Sequence, residues 1–281
     1  MFLNSNELEN KILYHYTTPE GLLGILQSDS VKLRLTKASA LNDMMEGKIL
    51  KERYKSVCTK LYQKGKMNRE EYDFLMENVK LDNNGELKES EYRKMYICSF
   101  SLERDSLPMW NYYVKGGGYQ GYNIGFRNPF IHCELSDDFL IDKILQICKV
   151  EYSEEILESL LMECIDSVHE SPEYFGEIYG DVYSALSWGA LEHKLECFSH
   201  EKEVRLIYTA SDEDEEKIQY RTKNGVLIPY IEIPFFKETV KEITIGPLVE
   251  RELAVENLKE FLDLRGYKNI DIKVSNVPIR Y

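Results

Sequence analysis

The chain has 281 residues, 43% of them hydrophobic and 12% aromatic, which is enough apolar material for a sizeable core and excludes wholesale disorder. Its formal net charge of −14 repels phosphate backbones over a Debye length. That argues against indiscriminate nucleic-acid binding, while leaving room for a small basic cleft.

No apolar run approaches the roughly 20 residues that a bilayer-spanning helix needs, so no membrane association is expected. Met1–Lys11 is polar and carries Glu7 and Glu9, unlike a secretory signal. The six cysteines, Cys58, Cys98, Cys133, Cys148, Cys164 and Cys197, include no C-x-x-C pair, and most sit in apolar runs. They read as reduced core residues in a reducing, cytoplasmic compartment. Only His193, Cys197 and His200 approach a metal-ligand spacing, and both histidines fall where a helix gives way to a strand; no metal is expected.

In chain order, Ile12–Tyr16 is a β-prone run. Thr18 then caps a helix with Pro19 in its first turn and an apolar stripe over Gly21–Leu26. Val31–Leu35 alternates apolar and basic residues, as a half-exposed strand does. Leu41-Asn42-Asp43 is a turn, helices are expected near Gly47–Gln63 and Asn68–Val79, and Asn83-Asn84-Gly85 marks a loop. Tyr96–Ser101 is a strand, Pro108–Tyr113 a short helix, Gly116–Gly118 a flexible loop, and Tyr122–Phe126 and Lys143–Tyr152 are strands. Glu154–Val168 and Pro172–Leu195 carry apolar residues at helical spacing. Glu203–Tyr208, Val226–Ile233 and Val240–Ile245 are strands, and the acidic run Asp212–Glu216 is a solvated loop. Arg251–Leu264 is a helix stopped by Gly266, and Ile270–Val274 closes the chain. Strands and helices mix without βαβ alternation, so the expected class is α+β, one domain over 1–281 with helical insertions at about 47–80 and 153–195.

Three segments carry the polar landmarks. His15 lies in an apolar strand, where a lone histidine is commonly a satisfied core residue. Ser99-Phe100-Ser101 alternates on a strand, so both hydroxyls face one side. The following Trp110-Asn111-Tyr112-Tyr113 cluster suits either core packing or stacking on a planar ring. Glu201-Lys202-Glu203-Val204-Arg205 is the most informative segment. Strand alternation places Glu201, Glu203 and Arg205 on one face, either as a surface ion-pair ladder or as a site. Cleaving the nicotinamide–ribose bond develops an oxocarbenium ion, which one carboxylate stabilises while a second orients an acceptor. Arg205 could fix Glu203 through paired hydrogen bonds, or bind a phosphate.

The stretches LYHYT (13–17), LRLTKASALNDMMEG (33–47), CSFS (98–101), PMWNYY (108–113), GYNIGF (121–126), the Lys194–Arg205 run and ITIGPL (243–248) together resemble a bacterial family catalogued as a domain of unknown function. Met44 stands where that family's turn has proline. More remotely, the landmark order resembles the ADP-ribosyltransferase superfamily: a His on the first strand, Ser-x-Ser on a middle strand and Glu-x-Glu late. The resemblance implies a split, mostly antiparallel β core with NAD bound between two small sheets. It implies Glu203 as catalytic carboxylate and Glu201 as the acceptor-orienting one, with His15 at a ribose and Thr17 beside the amide. Tyr112 or Tyr113 would stack on a ring, and Tyr16, Ser99, Ser101, Trp110 and Arg205 would line the site. Relatives of this kind act as toxins or anti-phage effectors on protein, DNA or RNA, so a macromolecular acceptor and a neutralising partner are expected. The alternatives are a catalytically inactive nucleotide-sensing module, and a nuclease or hydrolase holding magnesium with Asp43, Glu46 and Glu203.

Overall fold

The computed structural model describes residues 8, 10–41, 46–78, 95–114, 119–127, 145–153, 155–172 and 191–279. The expected turn at Asn42-Asp43, the loops at Asn83–Gly85 and Gly116–Gly118, most of the Pro172–Leu195 helix and Cys133 lie outside these residues.

The described elements are β1 (Ile12–Thr17), α1 (Pro19–Ile25), β2 (Val31–Lys37), α2 (Glu46–Gln63), α3 (Arg69–Asn78), β3 (Met95–Ser101), α4 (Leu107–Tyr113), β4 (Tyr122–Arg127) and β5 (Leu145–Lys149). They continue with α5 (Glu155–Glu170), β6 (Glu203–Thr209), β7 (Gln219–Lys223), β8 (Val226–Phe235), β9 (Val240–Ile245), α6 (Arg251–Leu264) and β10 (Asp271–Val274). The class is α+β. The chain divides into two compact units, one of Ala38–Met95 with Val150–Ser199, the other of Phe2–Lys37, Tyr96–Lys149 and His200–Tyr281.

The first unit carries α2, α3 and α5. On α2, Tyr54, Val57, Cys58 and Leu61 recur at helical spacing and are buried with Leu75 of α3 and Leu161, Ile165 and Val168 of α5. A reciprocal cap starts α3: Asn68 Oδ1 accepts from the Glu71 N–H at 2.9 Å, and Glu71 Oε2 accepts from the Asn68 N–H at 2.6 Å.

The second unit is built on a mostly antiparallel ten-stranded sheet. Its path runs β10-β9-β4-β1-β3-β2-β8-β7, and β6 joins β3 while carrying β5 on its other side. Only β10 and β9 are paired in parallel among the registers resolved. The core lies on one side of the central strands: Leu13 and Phe126, directly opposed on β1 and β4, are buried in it with Ile124, Phe100, Leu206 and Ile243. Each such side chain contributes about 1.5–3 kcal/mol on burial. Leu258 and Leu262 of α6 pack into the same core.

Local signals in the sequence explain most boundaries. Thr18 Oγ1 accepts from the Gly21 N–H at 3.1 Å, capping α1 as expected. Gly21 must lack a side chain, since a Cβ there would stand 2.0 Å from Thr17 Oγ1. Three differences stand out. Gln219–Lys223, which the sequence reading passes over, is a strand paired to β8 through Asn224-Gly225, both at positive φ (50° and 78°). The acidic run is a 3₁₀ turn, Asp212–Lys217, whose Asp214 is buried because it accepts from both the Ser211 N–H and hydroxyl. Among the cysteines, Cys58, Cys98 and Cys148 are buried thiols, but Cys197 is exposed in the polar 3₁₀ turn Glu196–Glu201.

Candidate functional site

The three landmark strands are neighbours, in the order β1-β3-β6, although nearly 190 residues separate His15 from Glu203 in sequence. Strand β3 is the common element. Its Tyr96, Cys98 and Phe100 enter the main core, so alternation turns Ser99 and Ser101 to the other side.

Ser101 is fully buried and links β3 to the start of β6. Its hydroxyl donates to the Glu201 carbonyl at 2.6 Å and accepts from the Glu103 N–H at 3.0 Å. A backbone bond from Leu102 N–H to the Lys202 carbonyl, 3.0 Å, reinforces the same approach. The Glu201 carboxylate in turn accepts from the Tyr113 hydroxyl at 2.9 Å. Ser101, Glu201 and Tyr113 are therefore joined by direct bonds.

Glu201 is not on the strand, which corrects the expectation that it shares a strand face with Glu203. It ends the 3₁₀ turn, and Lys202 follows at a φ of 41° before β6 begins. A left-handed residue reverses the alternation, so two-residue spacing does not carry a common face across it. Lys202 also pairs with Glu103.

Glu203 and Arg205 do share a strand face, opposite the core residues Val204 and Leu206. Arg205 Nε donates to Glu203 Oε1 at 2.9 Å and Nη2 donates to Oε2 at 3.0 Å. The pair is buried, with relative exposures of 1% for Arg205 and 4% for Glu203. Of the two roles left open for Arg205, holding Glu203 is the one seen. A phosphate-binding role is corrected, because its fork is turned to a carboxylate inside the protein. Removing either partner of such a pair costs about 3–5 kcal/mol.

His15 is half-buried on β1. Its Nδ1 lies 3.0 Å from the Ser99 carbonyl, so Nδ1 carries the proton and donates. The ring meets Phe100 edge-on at 5.8 Å, and the Cys98 sulfur lies 4.0 Å from Nδ1. Burial holds the imidazole pKa below its ordinary value; the Ser99 bond opposes this, and the positive charge of Arg221 adds to it. The neutral ring leaves Nε2 as an acceptor.

The landmarks converge unevenly. Tyr14 stands opposite Ser101, so these two share a side and His15, next to Tyr14, leans toward the Phe100 side. His15 and Ser101 do not present their side chains to one face. They are close along β3, however, since His15 holds Ser99 and Glu201 holds Ser101, two residues and about 7 Å apart. The register of β1 with β3 gives a single opposed pair, Tyr14↔Ser101, and the ring bonds the Ser99 carbonyl beside it.

Two aromatic residues are corrected from ligand contacts to framework. Trp110 is fully buried with Nε1 donating to Asp105 Oδ1 at 2.8 Å, so it offers no face to a ring. Tyr16 is buried edge-on against it at 4.8 Å; its hydroxyl donates to the Glu103 carbonyl at 2.8 Å and accepts from the Ser106 N–H at 3.0 Å. Thr17 is buried against Gly21. Tyr112 is different: 58% exposed, it lies 5.8 Å from the His200 ring and presents the open aromatic surface of this cluster.

Sequence reading missed the bond between Thr36 and Arg221. The Arg221 Nη2 donates to Thr36 Oγ1 at 2.9 Å. The signal that would have found Arg221 is the Asn224-Gly225 hairpin turn, which makes Gln219–Lys223 a strand.

Among the described residues no group of three or more His, Cys, Asp or Glu side chains is disposed to hold a metal ion. Asp43 lies outside the described residues. Among the described residues no helix is long and apolar enough to cross a membrane. Comparison with protein-family models, curated proteins and solved structures gave no match to this chain.

Proposed function

We propose that this chain is an NAD-dependent ADP-ribosyltransferase that modifies a macromolecule, in the manner of an intracellular bacterial toxin or anti-phage effector. The observation that carries the reading is the side-by-side order of the three landmark strands: β1 with His15, β3 with Ser99 and Ser101, and β6 led by Glu203. The split, mostly antiparallel β core of an ADP-ribosyltransferase would put a histidine, a serine pair and a late glutamate on adjoining strands in this way.

The roles follow from chemistry. Glu203, oriented by both arms of Arg205, supplies negative charge where the ribosyl oxocarbenium develops. Glu201, held by Tyr113, is the carboxylate placed to orient an acceptor. His15 offers Nε2 as an acceptor for a ribose hydroxyl, because Nδ1 is fixed on Ser99. The exposed ring of Tyr112 is the surface on which a nicotinamide or adenine would stack.

Incubation with adenylate-labelled NAD and lysates of infected and uninfected cells tests this reading. Wild type should label a macromolecule, and Glu203→Gln should lower the labelling by about 100-fold or more. A blank result from both proteins in both lysates would sink the reading.

One observation favours a second reading, a nucleotide-sensing module without catalysis. The Glu203 carboxylate is 4% exposed and bonded by Arg205 on both oxygens, which leaves it little reach toward a substrate. Saturable NAD binding in calorimetry, with no turnover, would select that reading over the enzyme.

A further inference from the structure

We infer that the free edge of β7 pairs with the same edge of a second copy of this chain, antiparallel and about a two-fold axis at Tyr220. The inference is independent of the NAD reading.

Strand β7 ends the sheet path, and Gln219–Thr222 is exposed along its length. The two-residue turn at Asn224-Gly225 decides which of its backbone groups are free. Lys223 and Val226 flank that turn as a hydrogen-bonded pair. Alternation then bonds Arg221 to Ile228 and Gln219 to Tyr230, and turns the N–H and C=O of Tyr220 and Thr222 outward. Pro229 fits this register: it stands opposite Tyr220, where β8 needs no N–H toward β7. Neither Tyr220 nor Thr222 has a bond on the outer side among the described residues. Tyr220, Val226 and Leu227 are each more than half exposed, so the hairpin also holds three large apolar side chains in water.

Charge selects the occupant. Arg221 and Lys223 stand at the turn end of this edge. Glu213, Glu215 and Glu216 stand exposed at the other end, in the 3₁₀ turn that leads into β7, and make no ion pair among the described residues. A wholly acidic segment would be repelled at one end and a wholly basic one at the other. An antiparallel copy sets basic end against acidic end twice, as a two-fold contact between identical surfaces requires. Centring on Tyr220 also keeps like charges apart: Tyr220 faces Tyr220 of the copy and Arg221 faces Gln219, whereas a centre on Arg221 would oppose two guanidiniums. The Tyr220 pair exchanges both backbone bonds. Each Thr222 N–H reaches the Ile218 carbonyl of the copy, since Ile218 gives only its N–H to the turn, at 3.2 Å from the Glu215 carbonyl.

Sedimentation equilibrium of the full chain over a rising concentration series tests the pairing, with amide hydrogen exchange as a second readout. Wild type should climb from 33.0 kDa toward twice that mass, and the Tyr220 and Thr222 amides should gain protection in step. Thr222→Pro removes an outward N–H without touching the bonds to β8, so it should stay at 33.0 kDa with wild-type circular dichroism. Lys223→Glu should weaken association by about 10-fold, since symmetry counts each change twice, and adding Glu215→Lys and Glu216→Lys should restore it. Wild type that stays at 33.0 kDa throughout overturns the pairing, as does association that Thr222→Pro leaves intact. Protection of the two amides only on adding poly-glutamate assigns the edge to an acidic partner and overturns the pairing too.

Discussion

His15 shows how a single residue couples stability to the proposed chemistry. Its folded-state pKa is depressed below the ordinary 6.5, chiefly by burial. The unfolded chain therefore binds the extra proton more readily, and stability rises with pH through this window. The His15 contribution is fully present above about pH 6.5 and is lost as pH falls toward the depressed folded value. Urea denaturation between pH 5 and 8 should show this loss in wild type, while His15→Gln should lack that component. A wild-type and variant pair with parallel pH curves would contradict the assignment. At this scale the sequence was legible where alternation on one strand decides, as for Glu203 and Arg205. It was silent where partners come from afar: Trp110 became framework because Asp105 takes its N–H, and Asp105 is itself fixed by Ser275, 170 residues away.

Among the elements, the passage from the 3₁₀ turn into β6 fixes where the two glutamates point. Lys202 sits at a φ of 41°, where a side chain costs about 1–2 kcal/mol relative to glycine. Lys202→Gly should therefore unfold within about 1 kcal/mol of wild type, since it relieves that cost and loses an exposed ion pair with Glu103 of small worth. Lys202→Val should fall about 1–2 kcal/mol below the glycine variant, because a β-branched residue resists the left-handed region. Equal midpoints for the two in urea denaturation would show that the turn does not depend on this backbone state. The sequence misled here because the alternation of Glu203 and Arg205 with Val204 and Leu206 extends by the same two-residue spacing back to Glu201. No residue type in it announces the reversal, whereas Asn224-Gly225 does announce the β7–β8 turn and Thr18-Pro19 does announce α1.

For the molecule as a whole, individual strands were mostly readable from local pattern, but their lateral order was not. Adjacency of β1, β3 and β6 is a product of long-range pairing among Ile12–Thr17, Met95–Ser101 and Glu203–Thr209, and periodicity carries no record of which strand lies beside which. That adjacency is also what joins Ser101 to Glu201, itself held by Tyr113, and sets the His15 ring of β1 on the Ser99 carbonyl, two residues along β3 from Ser101. The central claim is that Glu203 stands at the centre of a site that cleaves NAD. Its most direct test is the rate at which the purified chain releases nicotinamide from NAD, wild type against Glu203→Gln, each at a matched folded fraction. The account expects measurable release by wild type and a fall of about 100-fold or more in the variant. Equal rates from the two folded proteins would contradict it.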